Sequence, residues 1–182
     1  MIAFIRIPKT ASCTILDATD RGEVWSVDHE PVEFYKGAVA TFTFVRNPWE
    51  RLFSWYRHAK YFQQRTFEEY VLGEEKLFRP VSPTQRYRHG NADETGMLVA
   101  DQSAWFRERH PTFVGRFENL EVDLRCISNL LGFTVGKVGH LNVSKDTPSQ
   151  PYDPLIWTPE MVERMDPLFG EFADQYGYTA PC

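Results

Sequence analysis

At two places the chain passes from an apolar, β-branched run straight into a polar helix start, and any fold must place both junctions. Ile2 to Ile7 is rich in Ile and suits a buried strand; it ends at Pro8, and Cys13 to Asp20 resumes with helical character. Ala38 to Val45 is a second such run, and Asn47-Pro48-Trp49-Glu50 follows almost at once. That tetrapeptide is a strong helix start, with Asn as the N-cap, Pro at the first helical position and Glu three residues after the cap. Between the junctions, Glu23 to Asp28 alternates like a strand and His29 to Lys36 suits a short helix, so the first fifty residues read β-α-β-α-β. Thr112 to Phe117 predicts a further strand and Asn119 to Leu131 a helix. Thr158-Pro159 opens a last helical region that Pro167 should break or kink. Such alternation implies an α/β fold with a parallel sheet, helices on both faces, and ligands at the carboxyl ends of the strands.

The chain has 182 residues, 42% of them hydrophobic, which is material for one core, so a single domain over 1–182 is expected. Trp49, Leu52, Phe53 and Tyr56 fall on one helical stripe and are expected in that core, with Arg51, Ser54 and His58 on a different, polar face. Lys76 to Gly96 predicts the longest loop, and Gly139 to Pro154 is irregular. Twenty Lys and Arg stand against twenty-five Asp and Glu, a net charge of −5 that excludes coating of nucleic acid or an anionic membrane by bulk charge. Any anion must be held locally. The N-terminus lacks the basic start and long apolar run of a signal peptide, and no stretch approaches the roughly 20 apolar residues of a membrane span. A soluble, cytoplasmic protein without a membrane anchor is expected. Cys13, Cys126 and Cys182 are odd in number and widely spaced, which suits a reducing compartment and no zinc site.

The first junction is built to meet an anion. Backbone N–H groups from about Thr10 to Thr14 lie where a strand gives way to a helix, Lys9 adds a mobile positive charge, and Thr10, Ser12 and Thr14 add hydroxyls. Ser12 and Thr14 serve equally well as plain helix caps. A nucleoside-triphosphate P-loop is excluded, because no glycine precedes Gly22 and Lys9 stands ahead of the polar turn rather than behind it. At the second junction Arg46 sits at the strand's carboxyl end. Ser54, seven residues after Asn47, returns after about two turns to the side from which Arg46 enters, so guanidinium and hydroxyl could share one phosphate.

Pro8-Lys9-Thr10-Ala11-Ser12-Cys13-Thr14 resembles the 5'-phosphosulfate loop of sulfotransferases that use 3'-phosphoadenosine 5'-phosphosulfate (PAPS), and Val45-Arg46-Asn47-Pro48-Trp49-Glu50-Arg51-Leu52-Phe53-Ser54 resembles their 3'-phosphate motif. The likeness continues through Gly115-Arg116-Phe117-Glu118-Asn119-Leu120, Leu131-Gly132-Phe133, His140-Leu141-Asn142-Val143-Ser144 and the segment ending at Tyr178. It is greatest to the carbohydrate enzymes of that family, the heparan 2-O and bacterial sulfotransferases. Ala11-Ser12, where many relatives carry Gly-Gly, and Cys13 are departures. The resemblance implies a P-loop-like three-layer fold with a central, mostly parallel sheet flanked by helices. It implies PAPS as donor, 3',5'-adenosine bisphosphate as product, no metal, and a carbohydrate or small hydroxyl-bearing acceptor. Lys9, Thr10, Ala11, Ser12, Cys13, Thr14, Arg46, Ser54, Asn142 and Ser144 would bind the donor, with Lys9 also acting on the leaving phosphate.

An acceptor hydroxyl needs a base near neutral pH, so histidine comes first. His29 follows the strand Glu23 to Asp28 directly, at the sheet's carboxyl edge, where relatives often carry a histidine; Glu30 and His140 are the alternatives. Arg79, Arg86, Arg88 and His89, in the long loop beside Tyr87, form a basic group suited to an acidic sugar, or simply a solvated basic loop. Two rivals remain. A kinase-like enzyme would need a magnesium-binding carboxylate where the strand ends in Val45-Arg46, and a non-catalytic nucleotide or glycan binder would not need His29.

Overall fold

The longest strand lies in the middle of the sheet and sets its register. The computed structural model of the chain describes residues 1–58, 64–73, 101–107, 109–139 and 153–181. These divide into two compact units, one built from 1–46, 102–107 and 109–139, the other from 47–58, 64–73, 101 and 153–181. The first unit holds β1 (Ile2–Ile5), α1 (Ser12–Ala18), β2 (Val24–Trp25), β3 (Ala40–Val45), β4 (Phe113–Arg116) and α4 (Leu120–Leu131). The second holds α2 (Pro48–His58), α3 (Phe67–Gly73) and α5 (Pro159–Tyr176).

The four strands form one sheet in the order β2-β1-β3-β4, all parallel, and the architecture is α/β as expected. β1 and β3 pair from Ile2 with Ala40 to Ile5 with Thr43. From β1 the chain crosses α1 to β2 on one side, while β3 is followed on its other side by β4. The order therefore reverses between β1 and β3, the kind of position at whose carboxyl ends open α/β sheets bind ligands. One face of the sheet carries Phe4, Phe42 and Phe44, packed with Ile15 and Ala18 of α1 and Leu124 and Ile127 of α4. Phe42 is stacked between Phe4, at 5.0 Å, and Phe133, at 5.3 Å. Burying side chains of this size contributes about 1.5–3 kcal/mol each.

The elements fall close to where the sequence puts them, with physical reasons for the differences. β2 is only two residues long, because past Trp25 side chains replace the strand ladder. Ser26 Oγ donates to the Phe4 carbonyl, and the Tyr35 hydroxyl accepts from Val27 N–H and donates to its carbonyl. The short helix expected over His29 to Lys36 is a 3-10 turn, Val32–Tyr35, since Pro31 keeps the residue before it out of helical geometry. Asn47 caps α2 as expected, its Oδ1 accepting from the N–H groups of Trp49 and Glu50 at 3.0 and 3.3 Å.

In the second unit, Trp49, Leu52 and Tyr56 are buried and Phe53 is half-buried, packed with Phe67, Tyr70, Met161, Met165 and Phe169. Arg51 is not on a polar face: it is 2% exposed, and Trp55 is buried as well, so α2 is covered over more of its girth than its apolar stripe predicts. Pro167 does not break the last helix, which runs without interruption to Tyr176. A proline inside a helix costs about 3 kcal/mol. Burial of Met161, Met165, Phe169 and Phe172 outweighs that, at about 1.5–3 kcal/mol for each. Among the described residues no helix is long and apolar enough to cross a membrane. All of the loop expected at 76–96 and most of the irregular stretch at 139–154 lie outside the described residues.

Gly115 of β4 lies against the ring of Phe44, and a Cβ there would stand 2.5 Å from the nearest ring carbon. Gly115→Ala should therefore destabilise the chain by about 1–3 kcal/mol, the usual cost of overpacking a tight core. Urea denaturation measures this, and a variant as stable as the wild type would contradict the packing.

Candidate functional site

The loop from β1 to α1 is held in an unusual backbone form without any glycine. Lys9 and Ala11 both have left-handed φ angles, 66° and 64°, and Thr10 between them does not. Alternation of hand turns consecutive N–H groups toward a common side, the arrangement that makes anion-binding concavities. Ala11 is the N-cap of α1, and its carbonyl accepts the first helical bond, from Ile15 N–H at 3.0 Å. Thr10 Oγ1 and Ser12 Oγ both donate to the carbonyl of Ile7, at 2.9 and 3.1 Å. The sequence suggests these hydroxyls as donors to an anion; in the structure their single protons hold the turn together. Thr14 is buried and Cys13 is exposed.

Lys9 and Arg46 come together beyond the carboxyl ends of β1 and β3. The Arg46 guanidinium donates from Nη1 to the Lys9 carbonyl at 3.5 Å and lies over the ring of Phe117, 4.0 Å from its centre. Burial, and after it the charge of Arg46, pull the Lys9 ammonium down from 10.5 to about 8, while Cys13 acts weakly in the opposite sense. Desolvation and a neighbouring cation both disfavour the charged form of a lysine, and a cation perturbed in this way at a strand end is a functional-site candidate. The Arg46 backbone is fixed by Gln102, whose Oε1 accepts from its N–H at 2.9 Å and whose Nε2 donates to its carbonyl at 2.7 Å. Sequence reasoning misses Gln102, because it stands 56 residues from Arg46 and in no motif. Phe117 has a signal, since it lies within the Gly115 to Leu120 segment, but nothing local assigns it to an arginine.

His29 sits at the end of the segment that follows β2, as its place after the strand predicts. Its Nδ1 is 2.8 Å from the carbonyl of Arg6. A carbonyl only accepts, so Nδ1 carries the proton and the neutral ring keeps its lone pair on Nε2. That nitrogen lies 3.8 Å from Asp28 Oδ1, and the same carboxylate oxygen is 3.6 Å from Arg6 Nη1. The His29 carbonyl accepts from Trp105 Nε1 at 3.1 Å. The ring is thus tied to the backbone three residues ahead of Lys9, with its Nε2 edge beside an acidic group.

Ser54 is half-buried on α2, in the second unit. Asn142, Ser144, Arg79, Arg86, Arg88, His89 and His140 lie outside the described residues. Among the described residues no group of three or more His, Cys, Asp or Glu side chains converges as metal ligands do.

The sequence was also compared with known proteins. A family model described as the sulfotransferase family matches residues 26–148, about two thirds of the chain. The matched span contains His29, Arg46, Ser54, Gln102 and Phe117, and the Lys9 loop lies ahead of it. No curated protein and no solved structure matches.

The left-handed φ of Ala11 makes a prediction of its own. An L-residue in that region is strained by about 1–2 kcal/mol, most of all a β-branched one, and glycine is not. Ala11→Gly should fold at least as stably as the wild type, and Ala11→Val should lose more than about 1 kcal/mol. Thermal melts of the pair read this out; equal melting temperatures would mean that Ala11 is not left-handed.

Proposed function

Because the chain belongs to the sulfotransferase family, we propose that it moves a sulfuryl group from PAPS to a carbohydrate hydroxyl, like the heparan 2-O and bacterial carbohydrate enzymes that its motifs resemble. The observation that carries this reading is the pairing of Lys9 with Arg46 at the point where the strand order reverses, close enough for the charge of one to lower the pKa of the other. The donor residues fit a ligand with two separate phosphate-type charges, one cation for each.

The donor, when bound, supplies the activated sulfuryl group and leaves as 3',5'-adenosine bisphosphate. Transfer of this kind asks the protein mainly for alignment and for neutralising the charge that gathers on the leaving phosphate. Lys9, still mostly protonated at neutral pH, carries that charge balance at the 5' side, aided by the N–H groups of its loop. Arg46, lying over the ring of Phe117, meets the 3'-phosphate. His29 takes the proton of the acceptor hydroxyl on Nε2, since Nδ1 is engaged with the Arg6 carbonyl. Asp28, 3.8 Å away, favours the imidazolium that results.

Calorimetric titration with 3',5'-adenosine bisphosphate, beside ATP and 5'-AMP, tests the donor site. The bisphosphate should bind tightest, and Arg46→Ala should weaken it by at least about 10-fold, in keeping with loss of a charge-assisted bond of about 1.5–3 kcal/mol. A preference for ATP with magnesium would overturn the reading. The affinity should also fall with pH. Free Lys9 loses its proton through about pH 8, and an adjacent anion raises its pKa, so binding above that pH must take up a proton. Constant affinity from pH 7 to 9.5 would remove Lys9 from the site. In transfer assays, His29→Ala should lower kcat by about 10²–10⁴-fold and leave bisphosphate affinity near the wild-type value.

A further inference from the structure

The short turn Gln102–Trp105 supplies none of the groups invoked above, yet it holds two residues that do. Gln102 is 1% exposed, and its amide takes up both backbone polar groups of Arg46, at 2.9 and 2.7 Å. Trp105, fully buried, donates its indole N–H to the backbone carbonyl of His29 at 3.1 Å. We propose that this turn is a positioning bracket, in which Gln102 sets Arg46 toward the donor and Trp105 sets His29 toward the acceptor; this rests on the sulfotransferase reading of those two residues.

The geometry favours positioning over filling of space. An amide that both donates to and accepts from one residue fixes the plane of two successive peptide groups, and with them the direction in which the side chain leaves the strand end. Leucine or methionine would fill the same volume without that control. Arg46 also has to satisfy Phe117 at 4.0 Å and the Lys9 carbonyl at 3.5 Å, so a small rotation of its backbone would cost it both. At the other end, the indole bond holds the main chain of His29 while the Arg6 carbonyl holds its ring. The two anchors together leave the ring one orientation. Gln102 and Trp105 are three residues apart, so both ends of the chemistry are referenced to a single turn. Gln102 and Trp105 act through the backbones of Arg46 and His29, so both are positioning residues.

The test uses the full chain with Gln102→Met and Trp105→Phe, which keep bulk and remove the polar contacts. Gln102→Met should raise the KM for the donor and the Kd for 3',5'-adenosine bisphosphate by about 10-fold with kcat within about 3-fold. Trp105→Phe should do the reverse: kcat falls and its acid limb shifts, with bisphosphate affinity unchanged. The His29 ring whose titration sets that limb faces Asp28 on its own segment and Arg6 at the end of β1. Variants that lose both properties together, or neither, at wild-type melting temperature would overturn the bracket. Should the wild type itself fail to bind the bisphosphate, the donor reading falls and the bracket is still decided by ¹⁵N spectra of the free protein. Gln102→Met must move the Arg46 Nε–H resonance and Trp105→Phe the His29 ring nitrogens, each without the other. If Gln102→Met does not fold, Trp105→Phe alone decides by the same readings.

Discussion

The pairing of β1 with β3 is the constraint on which the rest depends. Once Ile2 lies beside Ala40 and Ile5 beside Thr43, two strand ends that are nearly forty residues apart in the chain finish at the same level. Each is followed at once by a basic residue and a helix. The parallel sense of the pair then brings Lys9 and Arg46 to the same edge of the sheet, at the point where the strand order reverses. The aromatic face of Phe4, Phe42 and Phe44 under α1 and α4 holds that register, because a slip by one residue would turn those rings to the other side of the sheet.

Such a site is costly to build, and the surrounding residues show how the cost is met. Burial of the Lys9 ammonium, and after it the charge of Arg46, lower its pKa. Arg46 is steadied by the face of an aromatic ring and, through its backbone, by a buried amide. The loop that carries Lys9 is strained at Ala11, where glycine would be at ease. Thr10 and Ser12 offset that strain by binding the Ile7 carbonyl, so their hydroxyls keep the loop in shape. Backbone strain and a perturbed cation held in place by well-packed neighbours are typical of functional sites.

Much of the fold was legible because its signals are local. The Asn47 cap, the Pro48 helix start and the β-branched run ahead of them each act within a few residues, and the structure agrees with them. The errors came where distant packing overrode local preference. Arg51 belongs to a polar face by helical spacing and is buried, and Pro167 stands inside a helix that it does not break, where four large apolar side chains are buried. β2 ended early because hydroxyls of Ser26 and Tyr35 took over from the backbone ladder.

The alternation of strands and helices, the two basic strand-to-helix junctions and the histidine after the second strand follow from residue order alone, since each depends on neighbours along the chain. The tertiary structure alone decided that Lys9 and Arg46 share an electrostatic environment, that the His29 ring presents Nε2, and that Gln102 and Trp105 hold the residues involved. Those facts arise from contacts between residues separated by 23 to 76 positions, and no local pattern of residue types encodes which distant carbonyl or amide a side chain will meet.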